Sequence, residues 1–141
     1  MKRAGAVKKA GSWPASTARD RVVLAAEDRH RRRLMLVAEG GTRFLLDLPQ
    51  PIALRHGDGL VLDDGSIVAV AGAPERLAEI EPGRLASLAH LAWHLGNRHT
   101  EIEIAGDRLR IRSDHVLEEM VRGFGAKVRF VEAPFDPEEM P

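Results

Sequence analysis

The hydrophobic period of this chain changes once, at Ala71-Gly72-Ala73-Pro74, and that change limits what the chain can fold into. Before it, apolar residues come in short runs rich in Val, Leu and Ile: RVVLAA (21–26), RRLMLVA (32–38), TRFLLDL (42–48) and SIVAV (66–70). After it, stripes at helical spacing alternate with runs of period two. Short evenly spaced strands ask for a sandwich or barrel, whereas alternating helices and strands ask for a layered α+β unit. A single 141-residue chain can hold two such small cores.

The first module, placed at residues 18–73, is expected to be all-β, barrel- or sandwich-like. Gly40-Gly41 suits a hairpin turn, Pro49 and Pro51 break the next connection, and Gly57, Gly59 and Gly65 mark later turns. The three aspartates of RHGDGLVLDDG (55–65) do not have calcium-loop spacing, and turn chemistry accounts for them. Residues 1–17, with Lys2, Arg3, Lys8 and Lys9 but no apolar centre, are expected to be a mobile basic arm rather than a signal peptide.

The second module, residues 74–133, reads strand, helix, strand, strand, helix, strand. RLAEI (76–80) is the first strand. Leu85, Leu88, Ala92 and Leu95, with Ala89 and Leu91 at the edges, make a helical stripe that Gly96 can stop. TEIEI (100–104) and RLRIR (108–112) form a hairpin around Ala105-Gly106-Asp107. Asp114 caps a second helix with core positions Leu117, Met120, Val121 and Phe124, and KVRFVE (127–132) closes the order. This is the split βαβ arrangement of a ferredoxin-like domain. The fold class is therefore α+β, a small all-β domain followed by a ferredoxin-like βαββαβ domain. Residues 134–141, acidic and proline-rich, are expected to be a flexible tail.

Several functions are disfavoured. Twenty-one basic residues balance twenty-one acidic ones, so no overall field draws nucleic acid or an anionic membrane. No run approaches the roughly 18 apolar residues of a membrane span, and a cytoplasmic protein is the default expectation. With no cysteine there is no disulfide, thiolate site or thiol nucleophile. Phosphate loops, dinucleotide fingerprints, GxSxG and HExxH are absent, and no carboxylate pair is set apart for acid–base work, so the chain is not read as an enzyme. Arg122-Gly123-Phe124-Gly125-Ala126-Lys127-Val128 resembles the signature of RNA-recognition domains. Phe124, however, continues a helical stripe, and Ala126 stands where a second stacking aromatic is needed.

Four of the six histidines fall in the second module: His90, His94, His99 and His115. His30 and His56 sit in turn-like polar stretches and read as surface residues. His90 and His94 lie one helical turn apart, off the apolar stripe, a spacing that can chelate a divalent ion or simply decorate a polar face. His99 lies past Gly96-Asn97, where a side chain can project from the domain. One imidazole holds a transition ion weakly, but two copies related by a two-fold axis can share one. His115, beside the Asp114 cap, is equally open to an auxiliary ligand role or a decorative one.

HLGNRH (94–99), followed by DHVLEEMVRGFGAKVRFVEAPFDPE (114–138), resembles the urease accessory nickel-chaperone family. EDRHRRR (27–33), LDLP (46–49) and LRHGDGLVLDDG (54–65) extend the likeness over nearly the whole chain from about residue 18. The resemblance implies a peptide-binding-like first domain and a ferredoxin-like second domain that binds metal and dimerises. It implies a carrier of Ni(II) to the urease apoprotein complex, working with a GTP-hydrolysing accessory protein, and a homodimer that metal can bridge into a tetramer. The family's principal metal histidine matches His99, one from each subunit. His94 matches the first histidine of the block, with a structural or a ligand role open. His115 matches a histidine that joins a peripheral site in some members, but its usual partner is here Ser113. The segment after His115 has no histidine, so about one tight ion per dimer is expected. Zn(II) or Cu(II) would substitute in vitro. A peptide- or RNA-binding module with incidental histidines is the alternative.

Overall fold

The computed structural model describes residues 1–139. The chain divides into two compact units between Ala73 and Pro74, and each has its own core.

The first unit is one six-stranded sheet. Its strands are β1 (Lys2–Lys8), β2 (Asp20–Leu24), β3 (Arg33–Val37), β4 (Arg43–Asp47), β5 (Gly59–Leu62) and β6 (Ile67–Gly72), ordered β2-β6-β5-β1-β4-β3. Period two is plain in β4, where Phe44 and Leu46 are fully buried between more exposed neighbours. They pack with Leu60, Leu62, Val68 and Val70. The edge strands are bridged at one end: the Glu39 N–H donates to the Arg21 carbonyl at 2.8 Å, and Asp20 accepts from the Gly40 and Thr42 N–H groups at 2.8 and 3.2 Å. The result is barrel-like, a nearly closed sheet rather than two stacked layers.

Residues 1–17 are not the mobile arm that their charge suggests. β1 lies in the middle of the sheet, parallel to β4 and antiparallel to β5. Its register shifts between Ala4 and Ala6, placing Gly5 in a bulge. Ala4 is fully buried. Trp13 then covers Gly59, where an added Cβ would lie 2.8 Å from the indole ring, and its Nε1–H donates to the Gly57 carbonyl. The segment escapes a hydrophobicity reading because it puts only Ala4 and part of Val7 against the core, and main-chain hydrogen bonds do the pairing.

The second unit contains β7 (Pro74–Glu81), α1 (Leu88–Gly96), β8 (Glu103–Ala105), β9 (Arg108–Arg112), α2 (His115–Gly123) and β10 (Lys127–Pro134). Its sheet order is β10-β7-β9-β8, and every neighbouring pair is antiparallel, as a ferredoxin-like fold requires. Ile80, Leu91, Leu95, Leu109, Ile111 and Val121 form the core between helices and sheet. In register on β7, buried Glu79 takes hydrogen bonds from Arg108, Arg110 and Arg129 at 2.8–3.0 Å. Burial alone would raise the Glu79 carboxyl, but the three guanidinium groups outweigh it and hold it below the usual carboxylate range.

Three local expectations need correction. Leu85 precedes α1 and is 76% exposed, because the loop before the helix is laid over the Gly125 turn. The strand expected at 100–104 begins only at Glu103. Nor is the chain after 133 a loose tail over the described residues. β10 runs to Pro134, Phe135 is fully buried, and the Glu138 N–H donates to the Ile102 carbonyl at 2.7 Å. Met140 and Pro141 of that expected tail lie outside the described residues.

Candidate metal site

Helix α1 positions three of the four histidines. Ser87 caps it, its hydroxyl accepting from the His90 N–H at 3.2 Å. Leu91 and Leu95 fix the buried side, and the 100° step then turns His90 and His94 away from the core.

The helix end is built around His99. Gly96 closes the regular helix, but the turn continues: the Asn97 N–H bonds to the Trp93 carbonyl and the Arg98 N–H to that of Leu95. The His99 N–H then donates to Gly96 at 2.9 Å and the Thr100 N–H to Leu95 at 3.3 Å. This pair of bonds is the Schellman pattern, whose pivotal residue adopts the left-handed conformation and is usually glycine. Here the pivot is His99, with φ 58°, the one non-glycine at positive φ among the described residues. The reversal leaves His99 exposed. The Arg98 side chain folds back instead, donating to the His94 carbonyl at 3.1 Å.

His115 opens α2 and is also exposed. The expected cap is present, Asp114 accepting from the Leu117 N–H at 3.1 Å. Buried Glu118 reaches back to accept from the Asp114 N–H at 2.7 Å and from the Ser113 hydroxyl at 3.2 Å. Ser113 is therefore spent on the helix start and offers no substitute for a ligating imidazole. A cleft of about 190 Å³ is lined by Thr100, Glu101, Arg112, Ser113, Asp114 and Leu117. His99 and His115 are the chain neighbours of two of these residues, so the end of α1 and the start of α2 border one depression.

His94 is turned elsewhere. Its Nε2 lies 3.1 Å from the Nε2 of His90, and its ring packs on Phe124 with centroids 4.5 Å apart. Partial burial, then the charges of His90 and Arg98, lower the His94 pKa from its usual value. Phe124 stands at the C-cap of α2, half-buried against both rings. It is not on a strand where it could stack a base. Sequence spacing gave the histidine pair but not this aromatic backing, because Phe124 counted as a core position of the other helix.

His30 and His56 stay apart from this group in the first unit, both exposed; His56 Nδ1 accepts from the Gly72 N–H at 3.2 Å. Among the described residues, no three His, Asp or Glu side chains converge to hold an ion. Nor is any helix of these residues long and apolar enough to cross a membrane.

Two family profiles account for the chain. Residues 1–73 match the N-terminal domain of the UreE urease accessory protein and residues 75–140 its C-terminal domain. Among curated relatives, the urease accessory protein UreE of Rhodopseudomonas palustris strain BisB18 is 53% identical over 98% of this chain and 65% of its own length. That of Beijerinckia indica is 49% identical over 98% of this chain and 79% of its own length. That of Rhizobium rhizogenes is 43% identical over 97% of this chain and 81% of its own length. The chain thus spans about two-thirds to four-fifths of these relatives. Two consecutive domain matches in the order of the two folded units, with identity extending through both, show that the chain belongs to the UreE family of urease accessory proteins.

Proposed function

We propose that this protein is a cytoplasmic Ni(II) carrier for urease maturation that acts without catalysis of its own. Ni(II) is its cargo, held between two copies of the second unit by His99 from each. The observation that carries this reading is the exposed imidazole at the pivot of the helix end. A left-handed L-residue costs roughly 1–2 kcal/mol where glycine would cost nothing, and such strain gathers at functional positions. A single such histidine supplies one donor where a transition ion wants four to six, so a second copy must supply another.

Exposed Trp93 on α1 and Val116 on α2, 62% and 75% accessible, are apolar surface of the helical layer that a second copy would cover. His115, bordering the same depression as His99, is proposed as an auxiliary donor, as is His94 through a change of rotamer. A metal-bridged tetramer is the proposed higher state, and the urease apoprotein with its GTPase partner the proposed recipient. The first unit is assigned peptide contacts. Zn(II) would compete for the imidazole pair and Cu(II) would exceed Ni(II) in affinity.

The test is activation of urease apoprotein by His99→Ala at limiting Ni(II). Activation should fall at least tenfold while the melting temperature stays unchanged. Full activation by that variant would transfer the function to the peptide-binding surface and make the histidine incidental.

A further inference from the structure

His90 and His94 are a second feature of α1, and their geometry does not depend on a second copy of the chain. Their rings meet at 62° with centroids 4.6 Å apart, and the two Nε2 atoms face each other at 3.1 Å. Imidazole nitrogens bind a divalent transition ion at about 2.0–2.1 Å, so two occupying adjacent coordination positions stand about 2.9–3.4 Å apart. The observed separation falls inside that bite. Helical spacing alone does not guarantee it, because each ring can adopt several rotamers.

Here the rings are backed by neighbours. Phe124 lies 5.6 Å from the His90 ring and 4.5 Å from that of His94, and Trp93 closes the other side of His94 at 5.0 Å. Both rings are thereby backed, and their Nε2 atoms stand at hydrogen-bond distance from each other, a contact that an ion would replace by entering between them with a small ring rotation. We propose that His90 and His94 form a second metal site, one per chain, that takes Ni(II), Cu(II) or Zn(II) through two imidazole nitrogens and completes its shell with water.

The surroundings define its character. No carboxylate joins the pair among the described residues, so hard cations such as Mg(II) and Ca(II), which require oxygen donors, have little to bind. The Arg98 guanidinium sits one helical turn beyond His94, and its charge lowers affinity for any cation. Two donors and an unfavourable field make a loose, rapidly exchanging site. His99 follows His94 by five positions, at most about 7.5 Å along the chain direction if the helical rise continued past Gly96. Each chain therefore carries a labile position close to the proposed shared one without the two using a common atom in the observed rotamers.

Trp93 supplies the readout. It is 62% exposed and touches His94, whereas Trp13, the only other tryptophan, is buried in the first unit. A paramagnetic ion bound by His90 and His94 should quench Trp93 and spare Trp13. The experiment is titration of the full chain with Ni(II), and separately Cu(II), followed by tryptophan fluorescence and calorimetry. It compares wild type, His90→Gln, His94→Gln and His99→Ala, each first checked for an unchanged melting temperature. Glutamine keeps the helix and removes the imidazole.

His99→Ala should retain one weakly bound ion per chain with Trp93 quenching. His90→Gln and His94→Gln should each weaken that ion at least tenfold, and His90→Gln should leave the tight ion of the His99 site in place. Mg(II) should do nothing. Equal weak binding and quenching in wild type and His90→Gln would overturn the proposal. So would loss in His94→Gln alone, since His94 would then be using another partner. Because the His99→Ala variant removes the shared site and His90→Gln leaves it intact, failure of this site and failure of the shared site give different patterns.

Discussion

His99 is where conformation and chemistry pull in opposite directions. Its φ of 58° is what the helix-ending pattern requires, and glycine would satisfy it without the Cβ penalty. His99→Gly should therefore stabilise the chain by about 0.5–1 kcal/mol, the relief of left-handed strain less the added freedom of glycine in the unfolded state. It should also abolish the tight metal site. Urea unfolding with and without Ni(II) checks both, and a large loss of apo stability would mean that the imidazole has a packing role instead. The sequence places His99 past the helix, where a side chain can project, and the structure leaves it exposed. The sequence does not show the positive φ, because Gly96 is the obvious stop signal and the hydrogen bonds of Asn97 and Arg98 carry the turn past it.

At the scale of elements, chain segments were legible in proportion to the apolar side chains they bury. α2 could be placed from Asp114 at its cap and Val121 in its core, and β4 from the alternation of Phe44 and Leu46. β1 was illegible: Ala4, Gly5 and Ala6 carry almost no hydrophobic signal between lysines and arginine, although the strand is central. β5 was hidden because its four residues, GLVL, lie among aspartates and glycines that read as turns. The contact between the loop before α1 and the turn after α2 was also beyond reach, since it is made by backbone. A Cβ on Gly83 would stand less than 2.5 Å from the Gly125 carbonyl oxygen, which cannot rotate away. Gly83→Ala should destabilise the chain by about 2 kcal/mol or more, through separation of the two loops. Gly123→Ala, with nothing within 4 Å of the added carbon, is the matched control and should have little effect. Thermal melts of the two variants decide it.

The whole molecule has two units, and each contains a hydrogen-bonded carboxylate whose charged form the fold favours. In the first unit the Thr42 hydroxyl, together with N–H groups of Arg21, Gly40 and Thr42, outweighs burial and lowers Asp20 to about 2. In the second, Glu79 is lowered among its three arginines. Both folded values lie below the unfolded ones, about 3.9 for aspartate and 4.3 for glutamate. The unfolded chain therefore binds more protons as pH falls. The stabilisation is complete above about pH 5 and is lost as acid titrates each carboxylate through its folded value. Unfolding followed between pH 6 and 2 should show this loss, and Asp20→Asn should flatten its low-pH part. The histidines belong to neither core. The four candidate ligands, His90, His94, His99 and His115, occupy exposed or half-buried positions of the second unit, which is why the functional claim can be tested without disturbing the fold. Its most direct test is calorimetric titration of Ni(II) against wild type and His99→Ala, with oligomer mass measured on the same samples. One tight ion per two chains, bound by a dimer and lost in the variant, is the predicted result; one tight ion per chain that survives His99→Ala would contradict it.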